Sequence, residues 1–151
     1  MRIGAPVALL CLISLLGCGG GGSPTGPTGP SRTVIAQGSV QLGDPATALA
    51  QDRLCDMLAF VPFTTSAQGT LDVTVDWTFA SNDIDVFLER GDCNCALALL
   101  DGCQDLAGSD SATAKPERLT VPNLSAAGYT LVVGNAGPGG ESASYELGLT
   151  R

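Results

Sequence analysis

Thr70-Leu71-Asp72-Val73-Thr74-Val75-Asp76-Trp77-Thr78-Phe79 decides the fold of this chain. Leu71, Val73, Val75, Trp77 and Phe79 alternate with Thr70, Asp72, Thr74, Asp76 and Thr78. In an extended chain a period of two puts the apolar set on one face and the polar set on the other. Such a strand must lay its apolar face against a second layer to leave water. Trp77 belongs to that alternating set, which assigns it to the core rather than to a sugar-stacking platform.

The same rhythm recurs on both sides of this stretch. Ala143, Tyr145, Leu147 and Leu149 alternate with Ser144, Glu146, Gly148 and Thr150, and Tyr129, Leu131 and Val133 repeat the pattern around Thr130. Val34 to Leu42, the residues around Leu58 and Phe60, Ile84 to Leu88, and Leu119 to Val121 add further strands, separated by Gly, Pro, Asn and Asp. The expected fold is therefore all-β, a sandwich of about seven or eight short strands. Gly134-Asn135-Ala136-Gly137-Pro138-Gly139-Gly140 is expected to join the last two strands as a hairpin. Only Pro45 to Asp56 has helical spacing, through Ala46, Leu49, Ala50 and Arg53.

Four cysteines, Cys55, Cys93, Cys95 and Cys103, lie within this β region. An even set in an exported domain is expected to form two disulfides. Cys93 and Cys95 are too close to pair with each other in an extended chain, so one should reach Cys103 and the other Cys55, with the choice left open. A four-thiolate zinc site is disfavoured, because the paired C-x-x-C knuckles of structural zinc sites are missing.

The Asp83-Ile84-Asp85 pair is the strongest candidate for chemistry. Alternate positions of a strand project both carboxylates to one side, beyond the turn at Ser81 and Asn82. Oxygen ligands of this kind suit calcium, with Asn82, Asp76 or Asp110 as further donors if the fold brings them near. Against it stands the simpler reading, in which Asp83 ends a turn and Asp85 is solvated or accepts backbone hydrogen bonds.

Catalysis is not expected. The chain has no His, which removes the commonest general base and every Ser-His-Asp or Cys-His scheme. There is no Gly-x-Ser-x-Gly elbow, and Ser111 and Lys115 do not have Ser-x-x-Lys spacing. Net charge is −8 over 151 residues, and one unit more negative if Arg2 is removed with a signal segment. So acidic a surface repels phosphates, and nucleic acid is excluded as a partner.

The N-terminus gives an address. Arg2 is followed by an apolar run from Ile3 to Leu16, whose last two residues open Leu15-Leu16-Gly17-Cys18, a motif that resembles the lipobox of bacterial lipoproteins. The apolar run is too short to span a bilayer, which takes about 20 residues. The resemblance implies cleavage before Cys18, so that residues 1–17 are the signal peptide and Cys18 carries thioether-linked diacylglycerol and commonly a third, palmitate-like chain. Gly19, in place of an Asp after the anchor, resembles the signal for the outer membrane in Gram-negative hosts. Gly19 to Ser31, GGGGSPTGPTGPS, contains no apolar side chain that could enter a core, so residues 18–31 read as a lipidated tether. Its expected reach is roughly 20 to 40 Å.

Residues 32–151 read as one domain with its own family signal. Asp56-x-Leu58-x-Phe60, Gly69-Thr70-Leu71-x-Val73-x-Val75, Asp83-Ile84-Asp85-Val86-x-Leu88, Leu119-x-Val121, Ala127-Gly128-Tyr129-x-Leu131-x-Val133 and Ser144-Tyr145-x-Leu147-x-Leu149 follow in order. Together they resemble the bacterial pre-peptidase C-terminal (PPC) domain. The resemblance implies a jelly-roll-like or immunoglobulin-like sandwich serving exported proteins as a non-catalytic accessory module. Two features depart from it: Leu58 stands at a usually aromatic position, and Asp92 to Asp105, with three cysteines, is an insertion. The expected function is a membrane-anchored adhesion or protein-interaction module of the cell envelope. A calcium-assisted, lectin-like module binding an envelope protein or polysaccharide is the alternative.

Overall fold

The computed structural model describes residues 29–98 and 102–151. Residues 1–17 and Cys18, the expected signal and lipid attachment, lie outside the described residues. Eight strands form: β1 Arg32–Leu42, β2 Leu58–Thr64, β3 Gly69–Trp77, β4 Ile84–Arg90, β5 Gln104–Ser109, β6 Glu117–Leu124, β7 Gly128–Asn135 and β8 Glu141–Thr150. Helix α1, Pro45–Ala50, and a 3-10 turn, Leu54–Met57, link β1 to β2, and the short α2, Cys95–Ala98, lies between β4 and β5. Among the described residues no helix is long and apolar enough to cross a membrane.

The strands make two four-stranded antiparallel sheets, ordered β1-β8-β3-β6 and β2-β7-β4-β5. β1 pairs with β8, β2 with β7, β3 with β6 and β4 with β5, so the chain is one long antiparallel ribbon wrapped into a jelly roll. The order differs from the immunoglobulin one, in which the first two strands are neighbours in one sheet, whereas here β1 and β2 lie in different sheets.

The alternation read in β3 sets the core. Leu71, Val73, Val75 and Trp77 point inward beside Leu147 and Leu149 of β8, and meet Ile84, Val86, Leu88, Leu131 and Val133 of the other sheet. Each such side chain contributes roughly 1.5 to 3 kcal/mol by leaving water. Phe79 does not follow the pattern and is 59% exposed. β3 ends at Trp77, because the backbone N–H groups of Thr78 and Phe79 turn away to donate to the Glu141 carboxylate at 3.2 and 2.9 Å.

The segment 134–140 corrects the expected hairpin. β7 lies between β2 and β4, whereas β8 lies between β1 and β3, so this connection crosses from one sheet to the other. Gly134 and Asn135 still belong to β7, and the Asn135 amide donates to the carbonyls of Gly43 and Gly139 at 3.0 and 2.7 Å. Those bonds carry the chain over the end of the sandwich, and alternation alone does not encode which strand becomes a neighbour.

Candidate functional site

The chain enters and leaves at one end of the sandwich, where the Ser31 and Arg151 backbones exchange two hydrogen bonds of 2.9 and 3.0 Å. The far end is built from the α1 region, the turn after β3, the β5–β6 loop and the β7–β8 crossing. Its organising residue is Glu141, only 4% exposed, whose carboxylate accepts from the N–H groups of Thr78, Phe79 and Ser142 and from the Asn82 amide. Burial pushes its pKa up, but the donors from Phe79, Ser142, Asn82 and Thr78 outweigh this and hold it below the ordinary carboxylate value. The turn so held supplies the Asn82 carbonyl, to which Trp77 Nε1 donates at 3.1 Å. Lys115 donates to Asp76 at 2.7 Å and lies 4.6 Å from the centre of the Trp77 ring. The Lys115 hydrogen bond, offset in part by burial, keeps the Asp76 pKa low.

Asp83 and Asp85 sit beside this turn. Asp83 precedes β4; its carbonyl accepts from Ala136 N–H, and its Oδ1 is buried without a partner. Asp85 lies on the outer face of β4, where burial first, then the charges of Asp83, Asp110 and Glu117, raise its pKa. Glu117 points inward at the start of β6, 1% exposed, with Ser109 donating to one carboxylate oxygen and the other unpartnered. The fold thus draws Asp110 and Glu117 toward the sequence-derived pair, while Asp76 is engaged by Lys115. Among the described residues, however, no three Asp, Glu, Cys or His side chains come together as a group able to hold a metal ion. Asp83 and Asp85 alone do not furnish the six to eight oxygens that calcium takes.

The insertion between β4 and β5 is the second distinctive feature. Cys93 bonds to Cys103, and Cys95 to Cys55 in the turn before β2. The first bridge closes the insertion on itself; the second fastens it to the other end of the same sheet. Cys93 N–H donates to Thr130 Oγ1 at 3.0 Å, and that hydroxyl donates to the Gly91 carbonyl at 2.8 Å. Thr130 alternates with the inward Tyr129 and Leu131, so the insertion packs on the outer face of this sheet and buries Thr130 completely. Glu89, beside Thr130 in register and 4% exposed, shares a cavity of about 190 Å³ with Ala98, Cys103 and Asp105.

On the outer face of the other sheet, Gln37, Thr74, Asp76, Ser144 and Glu146 line an open groove of about 450 Å³. It offers hydroxyl, amide and carboxylate groups, and the half-buried Tyr145 also lines it. Trp77 is in the core.

Sequence reasoning missed Glu141, Glu117 and Glu89, because a buried carboxylate has the same letter as a solvated one. A spacing signal existed only for Glu141, which begins an alternating strand directly after Gly139-Gly140.

No family model and no curated protein matches the chain. Among solved structures it is similar to the crystal structure of Yersinia pseudotuberculosis-derived mitogen, with 13% identity over 78% of this chain and 85% of that one. The TM-score is 0.46, a likeness too low to carry a function from one to the other.

Proposed function

We propose that this chain is an exported lipoprotein, held in the cell envelope by lipid on Cys18, and that its PPC-like sandwich is a non-catalytic accessory, adhesion or protein-interaction module. The observation that carries this reading is the Leu15-Leu16-Gly17-Cys18 motif, followed by an apolar-free tether that leads into β1. The 11 residues of β1 extend for about 35 Å, so the four loop segments of the far end stand well away from the anchor. In a Gram-negative host, Gly19 favours the outer membrane. An envelope protein or polysaccharide is the class of partner, and the acidic surface argues against nucleic acid.

The anchor has a direct test. Cys18→Ser is expected to abolish incorporation of a palmitate analogue and to move the protein from the detergent phase to the aqueous phase. A single acyl chain holds a protein only marginally, whereas two or three hold it stably, so the change should be nearly complete. Unchanged partitioning of the variant would remove the lipoprotein reading. A photo-crosslinker placed at the exposed Phe79 tests the interaction role, by capturing a defined envelope partner in the native membrane. The calcium-assisted, lectin-like alternative draws on Asp83 and Asp85 alone and has the weaker support.

A further inference from the structure

We infer that Glu89, opposed by Asp105, is a proton-operated clasp, which holds the disulfide-bonded insertion against the sandwich when the Glu89 carboxyl is protonated and donates to Asp105, and loosens it when Glu89 ionises. The pairing is set by the fold. Glu89 and Asp105 are directly opposed across the antiparallel β4–β5 ladder, after an irregularity between Leu88 and Glu89 that brings Asp105 rather than Leu106 into register. Both project outward into the cavity roofed by Ala98 and Cys103. Glu89 is almost wholly buried, and its Oε2 has no hydrogen-bond partner.

Among the described residues packed around the pair, no cation faces it. From β7 it is faced by Thr130, which is uncharged and committed to the insertion backbone. From β5 come Asp105 itself and the neutral Gln104. Among the described residues of the insertion, Asp92 is the ionisable group, and it adds negative charge. Arg90, next along β4, points to the opposite side of the strand. The buried Glu89 carboxylate, set against the exposed carboxylate of Asp105, is repelled when it ionises, and a proton on Glu89 turns that repulsion into a hydrogen bond.

Burial first, then the hydrogen bond to Asp105 and its charge, push the Glu89 pKa up from 4.5 to about 7. The folded state therefore holds this proton more tightly than the unfolded chain. Its contribution is full below pH 4.5 and is lost as pH rises through about 7. The disulfides keep the insertion attached, so opening is local: β5 is an edge strand, and the insertion lifts from Thr130 while the core stays closed.

Hydrogen exchange on the detergent-solubilised full chain at pH 5.5 and 8.5, corrected for base-catalysed chemical exchange, tests the clasp. The Cys93 and Ala98 amides and the β4–β5 ladder are expected to lose protection by about tenfold or more between the two pH values, one pKa unit being a factor of ten. The amides of β3 should keep theirs. Glu89→Gln, whose amide can donate to Asp105 at any pH, should retain its low-pH protection at pH 8.5. If that variant does not fold, Asp105→Asn serves instead and should move the midpoint to lower pH by relieving the repulsion. Protection that does not change with pH in the wild type, or that falls equally in the variants, overturns the inference. Failure of the lipid anchor would leave this result untouched.

Discussion

Glu141→Ala is expected to lower the stability of the domain by about 3 to 4 kcal/mol, because it removes four hydrogen bonds to one buried, charged carboxylate at once. The carboxylate accepts from Ser142 at 2.8 Å, Phe79 and Asn82 at 2.9 Å, and Thr78 at 3.2 Å. Hydrogen bonds to a charged group contribute about 1.5 to 3 kcal/mol each, but several bonds on one carboxylate are not additive. Glu141→Gln keeps the shape and one acceptor oxygen while turning an NH2 group toward donors, so roughly 2 kcal/mol should be lost. The pH dependence has a definite sign. The Glu141 pKa is lower in the folded protein than its ordinary 4.5, so its ionised form contributes above that value and the contribution fades as pH falls through the folded pKa. The gap between wild type and Glu141→Gln in urea unfolding should accordingly be wide at pH 7 and narrow in strong acid. Trp77 is the chain's single Trp and its indole bonds to the clamped turn, so its fluorescence should change before global unfolding in the Ala variant. Stability within 1 kcal/mol of wild type would mean that the clamp does not hold the far end together.

That clamp also marks where sequence patterning stops informing. Leu71, Val73, Val75 and Trp77 could be placed inside from their spacing alone, since one-sided burial writes itself as a period of two. β5, Gln-Asp-Leu-Ala-Gly-Ser, carries no such period: it is an exposed edge strand whose side chains face few demands. The direction of the connection after Asn135 was not readable, because hairpin and crossing need the same inward residues. One signal was present and points further than alternation allows. Leu131-Val132-Val133 is an unbroken apolar run, as expected of a strand covered on both faces. Val132 is indeed buried on the outer side, in register between Phe60 of β2 and Phe87 of β4. The disulfide partners follow from that second covering. Once the insertion folds back over Thr130, Cys95 is carried toward Cys55 and Cys93 is left beside Cys103. The candidate site was legible only as the Asp83–Asp85 pair. Asp110 and Glu117 join its electrostatic neighbourhood through strand order, which residue spacing does not reveal.

The other large effect lies in the bridges. In the chain-entropy picture a crosslink stabilises by restricting the unfolded chain, and the restriction grows with the loop it closes. Cys55–Cys95 spans 40 residues and Cys93–Cys103 spans 10. Removing the first as a Cys55→Ser/Cys95→Ser pair should cost about 4 kcal/mol, and removing the second as Cys93→Ser/Cys103→Ser about 3 kcal/mol. The loops overlap, because Cys93 lies within the span of the first bridge; with both gone the loss should therefore fall short of the sum. The two variants should also differ in kind. Opening Cys55–Cys95 frees the insertion from the turn before β2, while the Thr130 contacts and the smaller loop persist. Opening Cys93–Cys103 loosens the cavity wall next to Glu89, so that variant should weaken the pH dependence of the β4–β5 ladder as well as the stability. Urea unfolding under non-reducing conditions measures the first pair of values, and exchange at two pH values measures the second. If the short bridge proves the more stabilising of the two, the insertion is held by native-state contacts around Cys93 and Cys103, and loop entropy is the wrong account of these disulfides.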